Sequence, residues 1–187
     1  LKTLKLKAQG PLLDLEKKVL ANVQPFVLRV AGRDYIQSCL FIGKRVFLVN
    51  KHAIDSVDKT FQVAGKQYNL DDVDVAILDT EYGLTDVAAV KLNTGPEWKN
   101  LSKLFVSLDT TLHPGTRITI LSNDQLNMVR EGSFLRNEDD IPTNIGPIPF
   151  VMLYKASSYF GMCGSAVLTR FGDCPGILGL HCAGGGG

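Results

Sequence analysis

Two residue types in this chain are scarce enough to be followed one by one: it holds four cysteines and three histidines. Cys163 lies in YFGMCGSAVL, between Met162 and Gly164 and ahead of an apolar run. A cysteine nucleophile needs a base to make thiolate, and the base needs an orienting partner. His52 follows a strand-like run in RVFLVNKHAID, where the strand gives way to a turn and a side chain would stand at a rim. Asp86, in GLTDVAAVKL, precedes another apolar strand and could accept the Nδ1–H of a histidine. Asp74, in DDVDVAIL, is the rival carboxylate. The glycines around Cys163 suit an oxyanion hole, in which consecutive backbone N–H groups converge and a bulky Cβ would obstruct the turn.

Each residue also has a plain structural explanation. A lone cysteine often packs as a small hydrophobe, a lone histidine is often a satisfied polar group, and an aspartate before a strand often belongs to a turn. His113, in LHPG, reads as a solvated turn residue. A zinc site built from Cys163, Cys174, His181 and Cys182 is a further alternative, although adjacent ligands on a strand point to opposite faces. Taken together and in this order, the residues favour nucleophilic catalysis.

The elements that must position them are mostly strands. FVLRV, YIQSCLFI, RVFLV, TFQV, KQYNL and VDVAIL are short runs rich in β-branched and aromatic residues, with turns at AGR, GKR and AGK. TRITIL, NMVREGSFL, PFVMLYKA, SAVLTRF and GILGLHC repeat the texture after a connector with two Pro–Gly punctuations. One helix is expected at DLEKKVLANV, with Asp14 as N-cap, an apolar face of Leu15, Val19, Leu20 and Val23, and Pro25 as its stop. Two groups of strands joined by one connector imply an all-β chain of two small barrels or sandwiches, with the site between them. The expected boundaries are 10–95, a connector at 96–115 and 116–187, preceded by residues 1–9.

GMCGSAVL with GLHCAGG downstream, HAID after RVFLVNK, and LTDVAAVKL resemble the picornaviral 3C cysteine proteases over essentially the whole chain from Gly10. The resemblance implies a chymotrypsin-like pair of six-stranded antiparallel β-barrels with a short N-terminal helix. It implies His52 as general base and acid, Asp86 as its orienter and Cys163 as nucleophile, with the N–H groups of Gly161, Met162 and Cys163 as oxyanion hole. It implies processing of a viral polyprotein after glutamine, with host proteins as further possible substrates. A neutral glutamine amide must be read by an uncharged donor, which a histidine held neutral by a hydroxyl supplies. By the resemblance that donor is His181, Tyr154 holds it, Ser158 adds a second hydroxyl, and Ala183 and Gly184 complete the substrate site. The family more often has threonine where Ser158 stands. Gln9–Gly10 is the dipeptide such enzymes cut, so residues 1–9 read as upstream polyprotein or an appended substrate segment.

The bulk numbers agree with an enzyme of this kind. Hydrophobic residues make up 45% and charged residues 21% of 187 positions, as in a globular chain. A net charge of +1 supplies no general drive toward nucleic acid. Family members bind viral RNA through a basic connector motif and the N-terminal helix; here only Lys99 and Lys103, with Lys17 and Lys18, occupy those places. Solvated surface lysines are the simpler account of them. A protease-like scaffold without activity is the remaining alternative, and three filled catalytic positions argue against it. No signal peptide, transmembrane segment, metal or cofactor is expected, the cysteines read as reduced thiols in a cytosolic compartment, and the resemblance implies the host cytoplasm, near replication complexes.

Overall fold

The computed structural model describes residues 11–80, 83–107, 110–124, 129–141, 148–156 and 162–183. Helix α1 (Asp14–Asn22) leads into β1 (Val23–Val30), β2 (Arg33–Gly43) and β3 (Val46–Asn50). The five-residue helix α2 (Lys51–Asp55) follows, then β4 (Thr60–Val63), β5 (Lys66–Asn69), β6 (Asp74–Thr80) and β7 (Gly83–Lys91). Beyond the connector come β8 (Arg117–Leu121), β9 (Val129–Ile141), β10 (Ile148–Lys155), β11 (Ala166–Phe171) and β12 (Cys174–Leu180).

The strands form two antiparallel sheets, ordered β5-β4-β1-β2-β3-β7-β6 and β10-β9-β8-β11-β12. Among the described residues the division is therefore seven and five, not the even six and six that the family resemblance implied. The four-residue β4 and β5 form a complete hairpin of their own, which adds a strand to the first sheet. Two tight turns set the register there. Val30 faces Arg33 across Ala31-Gly32, and Val63 faces Lys66 across Ala64-Gly65. All four turn residues have positive φ, from 51° to 80°, the backbone twist that two-residue hairpins require.

Period-two patterning fills the first core. Phe26, Phe41, Phe47 and Phe61 are buried there, and the Phe26 and Phe61 rings stack with centroids 5.3 Å apart. Along β7 the buried positions are Asp86, Ala88 and Val90. Asp86 is thus the first inward-facing position within this strand and not a residue ahead of it. A second cluster joins the sheets: Val19 and Val23 pack with Leu40 of β2, Leu101 of the connector, and Leu121, Leu168 and Ile177 of the second sheet.

The helix departs from expectation at both ends. Leu13, not Asp14, is the N-cap, because its N–H donates to Glu16 Oε1 at 2.8 Å in place of a side-chain cap. The helix stops at Asn22, and Pro25 lies inside β1, where its carbonyl accepts from Ala64 N at 3.2 Å. Glu16 is fully buried and receives Arg170 of β11 in two bonds, Nη2 to Oε1 at 2.7 Å and Nε to Oε2 at 2.9 Å. Arg170 Nη2 also donates to Pro11 O at 3.1 Å. Burial works to raise the Glu16 pKa, but the Arg170 and Leu13 hydrogen bonds and the Arg170 charge outweigh it and hold it low. The connector is tied to both sheets, through Trp98 N to Lys44 O at 2.7 Å and Val106 N to Ile177 O at 2.9 Å. No helix among the described residues is long and apolar enough to cross a membrane.

Candidate active site

Strand β3 delivers Asn50 and then His52 in the first turn of α2, so the expected turn after RVFLV is a short helix. The neighbouring β7 presents Asp86 beside it, with Asn50 paired to Val87. His52 Nδ1 lies 2.8 Å from Asp86 Oδ2, and His52 N donates to Asp86 Oδ1 at 3.0 Å. A carboxylate oxygen accepts, so Nδ1 carries its proton toward Asp86 and Nε2 is the nitrogen not engaged by the carboxylate. The Cys163 side chain lies close enough to His52 to act on its protonation. The bond to Asp86, then the neighbouring Cys163, raises the His52 pKa to about 9 against the effect of burial. His52, Asp86 and Cys163 are therefore gathered in one place, from two different sheets. Asp74, the rival, begins the edge strand β6 and pairs with Lys91 at the far end of β7.

The loop before β11 holds the cysteine by its backbone. Met162 is buried, and its carbonyl accepts from Ser165 N at 3.3 Å and Ser165 Oγ at 2.6 Å. Ser165 Oγ is itself 2.6 Å from Ser122 Oγ of the segment after β8. Ser38 N donates to Cys163 O at 3.2 Å, joining β2 of the first sheet to the cysteine. Gly164, at φ +81°, passes so close to β2 that an added Cβ would lie 1.7 Å from Ser38 O. Glycine is required here by the approach of two backbones as well as by φ. Gly164 N donates to His181 O at 2.9 Å, and His181 N donates to Ser165 O at 2.9 Å.

His181 follows the end of β12 and is only 6% exposed. Burial lowers its pKa to about 4, so it is neutral at pH 7. Its Nδ1 is in a short hydrogen bond with the Tyr154 hydroxyl of β10. Burial pushes the Tyr154 pKa up, so the phenol keeps its proton. Cys182 is pushed up to about 12, first by burial, and Cys39 is buried and also raised. Cys182 O lies 3.6 Å from Cys163 Sγ, and Ala183 beyond it is exposed. Among the described residues no three His, Cys, Asp or Glu side chains gather as a metal would need, the proposed zinc set of Cys163, Cys174, His181 and Cys182 included.

Gly161, Ser158 and Gly184, as well as Gln9 and Gly10, lie outside the described residues. His113 is exposed in its turn, as expected. Lys17 and Lys18 on α1 and Lys99 and Lys103 on the connector are exposed, and Asn22 Nδ2 knits the two elements by donating to Lys99 O at 2.9 Å.

Two residues of the site escaped the sequence. Asn50 is fully buried, donating from Nδ2 to Asp86 Oδ2 at 3.2 Å and to His181 O at 3.1 Å. Gln37 Nε2 donates to Asn50 Oδ1 at 3.0 Å. An asparagine closing an otherwise apolar strand was the available signal, since a polar residue on a buried strand must have partners.

Comparison with known proteins places these features in a family. Residues 14–186 match the 3C cysteine protease (picornain 3C) family. The chain is 60% identical to the genome polyprotein of Cosavirus A over all of its length, which is 9% of that polyprotein. It is 29% identical to the genome polyprotein of encephalomyocarditis virus over 98% of the chain and 8% of that polyprotein. Among solved structures it is similar in fold to the HRV-C 3C protein with rupintrivir (TM-score 0.71, 15% identity, 91% of this chain and 92% of that one). The tobacco etch virus protease complexed with product is also similar (TM-score 0.66, 15% identity, 95% and 72% covered). The paired antiparallel sheets are accordingly those of the chymotrypsin-like proteases, and the chain belongs to the 3C cysteine protease (picornain 3C) family of cysteine endopeptidases.

Proposed function

We propose that this endopeptidase cuts a viral polyprotein after glutamine through Cys163, His52 and Asp86. The observation that carries the reading is His52 bonded to Asp86 at 2.8 Å with the Cys163 side chain close enough to raise its pKa. His52 takes the thiol proton at Nε2, and Cys163 Sγ attacks the scissile carbonyl carbon. The oxyanion of the tetrahedral intermediate is received by the N–H groups of Gly161, Met162 and Cys163. The carbon–nitrogen bond then breaks as His52 returns the proton to the leaving amine. Water, deprotonated by the same imidazole, cleaves the thioester and releases the enzyme. Asp86 keeps the imidazole in the tautomer that leaves Nε2 facing the thiol.

For specificity, Tyr154 O–H donates to His181 Nδ1, which leaves Nε2–H as an uncharged donor for the glutamine amide oxygen. A site built to bond an amide rejects a charged glutamate because His181, buried and neutral, offers no compensating charge. Ser158, Ala183 and Gly184 belong to the same pocket in this reading. Host proteins carrying accessible glutamine sites, cut in the cytoplasm, are within the same chemistry. Incubation with a Gln-Gly peptide, with and without a thiol alkylator, tests the reading. Cleavage that survives the alkylator, or persists in Cys163→Ala, would remove it.

Viral RNA is a second ligand in this proposal, favoured by one observation: the exposed lysines of α1 and of the connector belong to elements hydrogen-bonded to each other.

A further inference from the structure

Asn50 stands where an asparagine ordinarily has another task. It is the N-cap of α2, with an extended backbone, yet its side chain makes no cap hydrogen bond. An N-cap asparagine normally accepts from the second or third N–H of its helix. Here the second N–H, that of His52, is taken by Asp86 Oδ1 at 3.0 Å. A carboxylate from β7 caps the helix that carries the histidine, and the Asn50 amide is released for other partners.

Those partners are fixed in kind. The two groups facing Nδ2, the Asp86 carboxylate and the His181 carbonyl, only accept, so the amide has one orientation. Gln37 Nε2 fills the remaining acceptor at Oδ1. Three donors converge on Asp86: the His52 ring, the His52 backbone and Asn50. Asn50 also hydrogen-bonds across to the second sheet, at His181, whose carbonyl receives Gly164 N next to Cys163. Because the side chain is fully buried, water does not replace a bond that is removed.

We propose that Asn50 is a positioning residue that sets the Asp86 carboxylate against His52 and locks that setting to the His181 segment across the two sheets. It touches neither thiol nor peptide and acts through Asp86 on one side and the His181 carbonyl on the other. The proposal rests on the reading of Asp86 as the orienting carboxylate.

The test compares Asn50→Leu and Asn50→Asp, alone and in an Asp86→Asn background, by peptide cleavage and thermal melting. Asn50→Leu keeps the branched skeleton at a larger volume and deletes the donors; Asn50→Asp keeps shape and size, deletes the donors and serves if the leucine variant does not fold. Each is expected to lower kcat about 10- to 100-fold with KM changed less than about threefold, after correction for active sites by stoichiometric alkylation. In the Asp86→Asn background the same changes should lower kcat by less than about threefold, because the group they act through is already impaired. A kcat within threefold of the parent in the folded single variants overturns the proposal. So does a loss of equal size in both backgrounds, the behaviour of a residue that merely supports the fold. Full activity in Asp86→Asn alone would instead overturn the assignment of Asp86.

Discussion

Gly164→Ala is the substitution whose outcome follows most directly from distances. The new Cβ would lie 1.7 Å from Ser38 O, 2.7 Å from Ser38 C and 2.9 Å from Gln37 Nε2. A Cβ has no rotamer with which to escape, so relief must come from the backbones of β2 and the cysteine loop. Reaching an ordinary contact of 3.4 Å means parting them by 1.7 Å, the difference of the two values. That movement stretches Ser38 N to Cys163 O, now 3.2 Å, and Gly164 N to His181 O, now 2.9 Å. Alanine at φ +81° adds roughly 1–2 kcal/mol of conformational cost. Overpacking adds about 1–3 kcal/mol more. The sum of about 2–5 kcal/mol lowers Tm by roughly 4–20 °C in a chain of this size. Activity should suffer more than stability, since misplacing a reacting group by about 1 Å can cost about 10²-fold. We expect kcat/KM on a Gln-Gly peptide to fall at least about 10²-fold at a temperature where the variant is fully folded. Gly172→Ala is the control: its φ is +67°, nothing lies within 4 Å of its Cβ, and it sits in the β11–β12 turn. It should pay only the conformational cost and keep kcat/KM within about twofold. A folded Gly164→Ala enzyme within tenfold of the parent would refute the claim that this contact places Cys163 for the proposed reaction.

The pH dependence of stability has two worked signs. The His52 pKa is raised to about 9, so its contribution is complete below 6.5 and is lost as pH rises through 9; the Tm difference between parent and Asp86→Asn should shrink over that interval. The His181 pKa is lowered to about 4, so its contribution is complete above 6.5 and is lost as pH falls toward 4; His181→Gln should flatten the acid side of the Tm profile. Arg170→Ala leaves Glu16 buried without its partner, and because Arg170 is 40% exposed the expected cost is discounted to about 1–2 kcal/mol. Glu16→Gln combined with Arg170→Met should recover part of that loss in a denaturant titration. Lys99→Glu with Lys103→Glu should weaken binding to a structured viral RNA while sparing peptide cleavage; unchanged binding would move the RNA surface elsewhere.

The gathered catalytic candidates were legible because their chemistry uses rare residues. With three histidines to choose from, a strand-end His52 and the glycine-flanked Cys163 had few competitors. The strand runs themselves already numbered seven and five once GLTDVAAVKL was counted; the even division came from the family and not from the residues. Asp86 was recognised but set ahead of its strand, since a carboxylate facing inward breaks the apolar alternation that marks a strand. The Leu13 cap was hidden because Glu16, three residues on, supplies the acceptor that the cap position lacks. Asn50 and the Glu16–Arg170 pair were out of reach for a different reason. Their partners are 36, 131 and 154 residues away, and nothing local announces such meetings.

That last separation bears on the order of events during synthesis. Helix α1 is synthesised well before the strand that holds it, 154 residues later, so Glu16 does not meet Arg170 until β11 has emerged. At about 5–20 residues per second the wait is roughly 8–30 s. Through that time the apolar side of α1 rests on Leu40, then on Leu101 and Leu121 as they emerge, until Leu168 and Ile177 arrive. The cysteine loop is completed in the same interval, because Cys163 directly precedes β11. Docking of α1 onto its strand and completion of the cysteine loop thus fall together, once β11 has been synthesised.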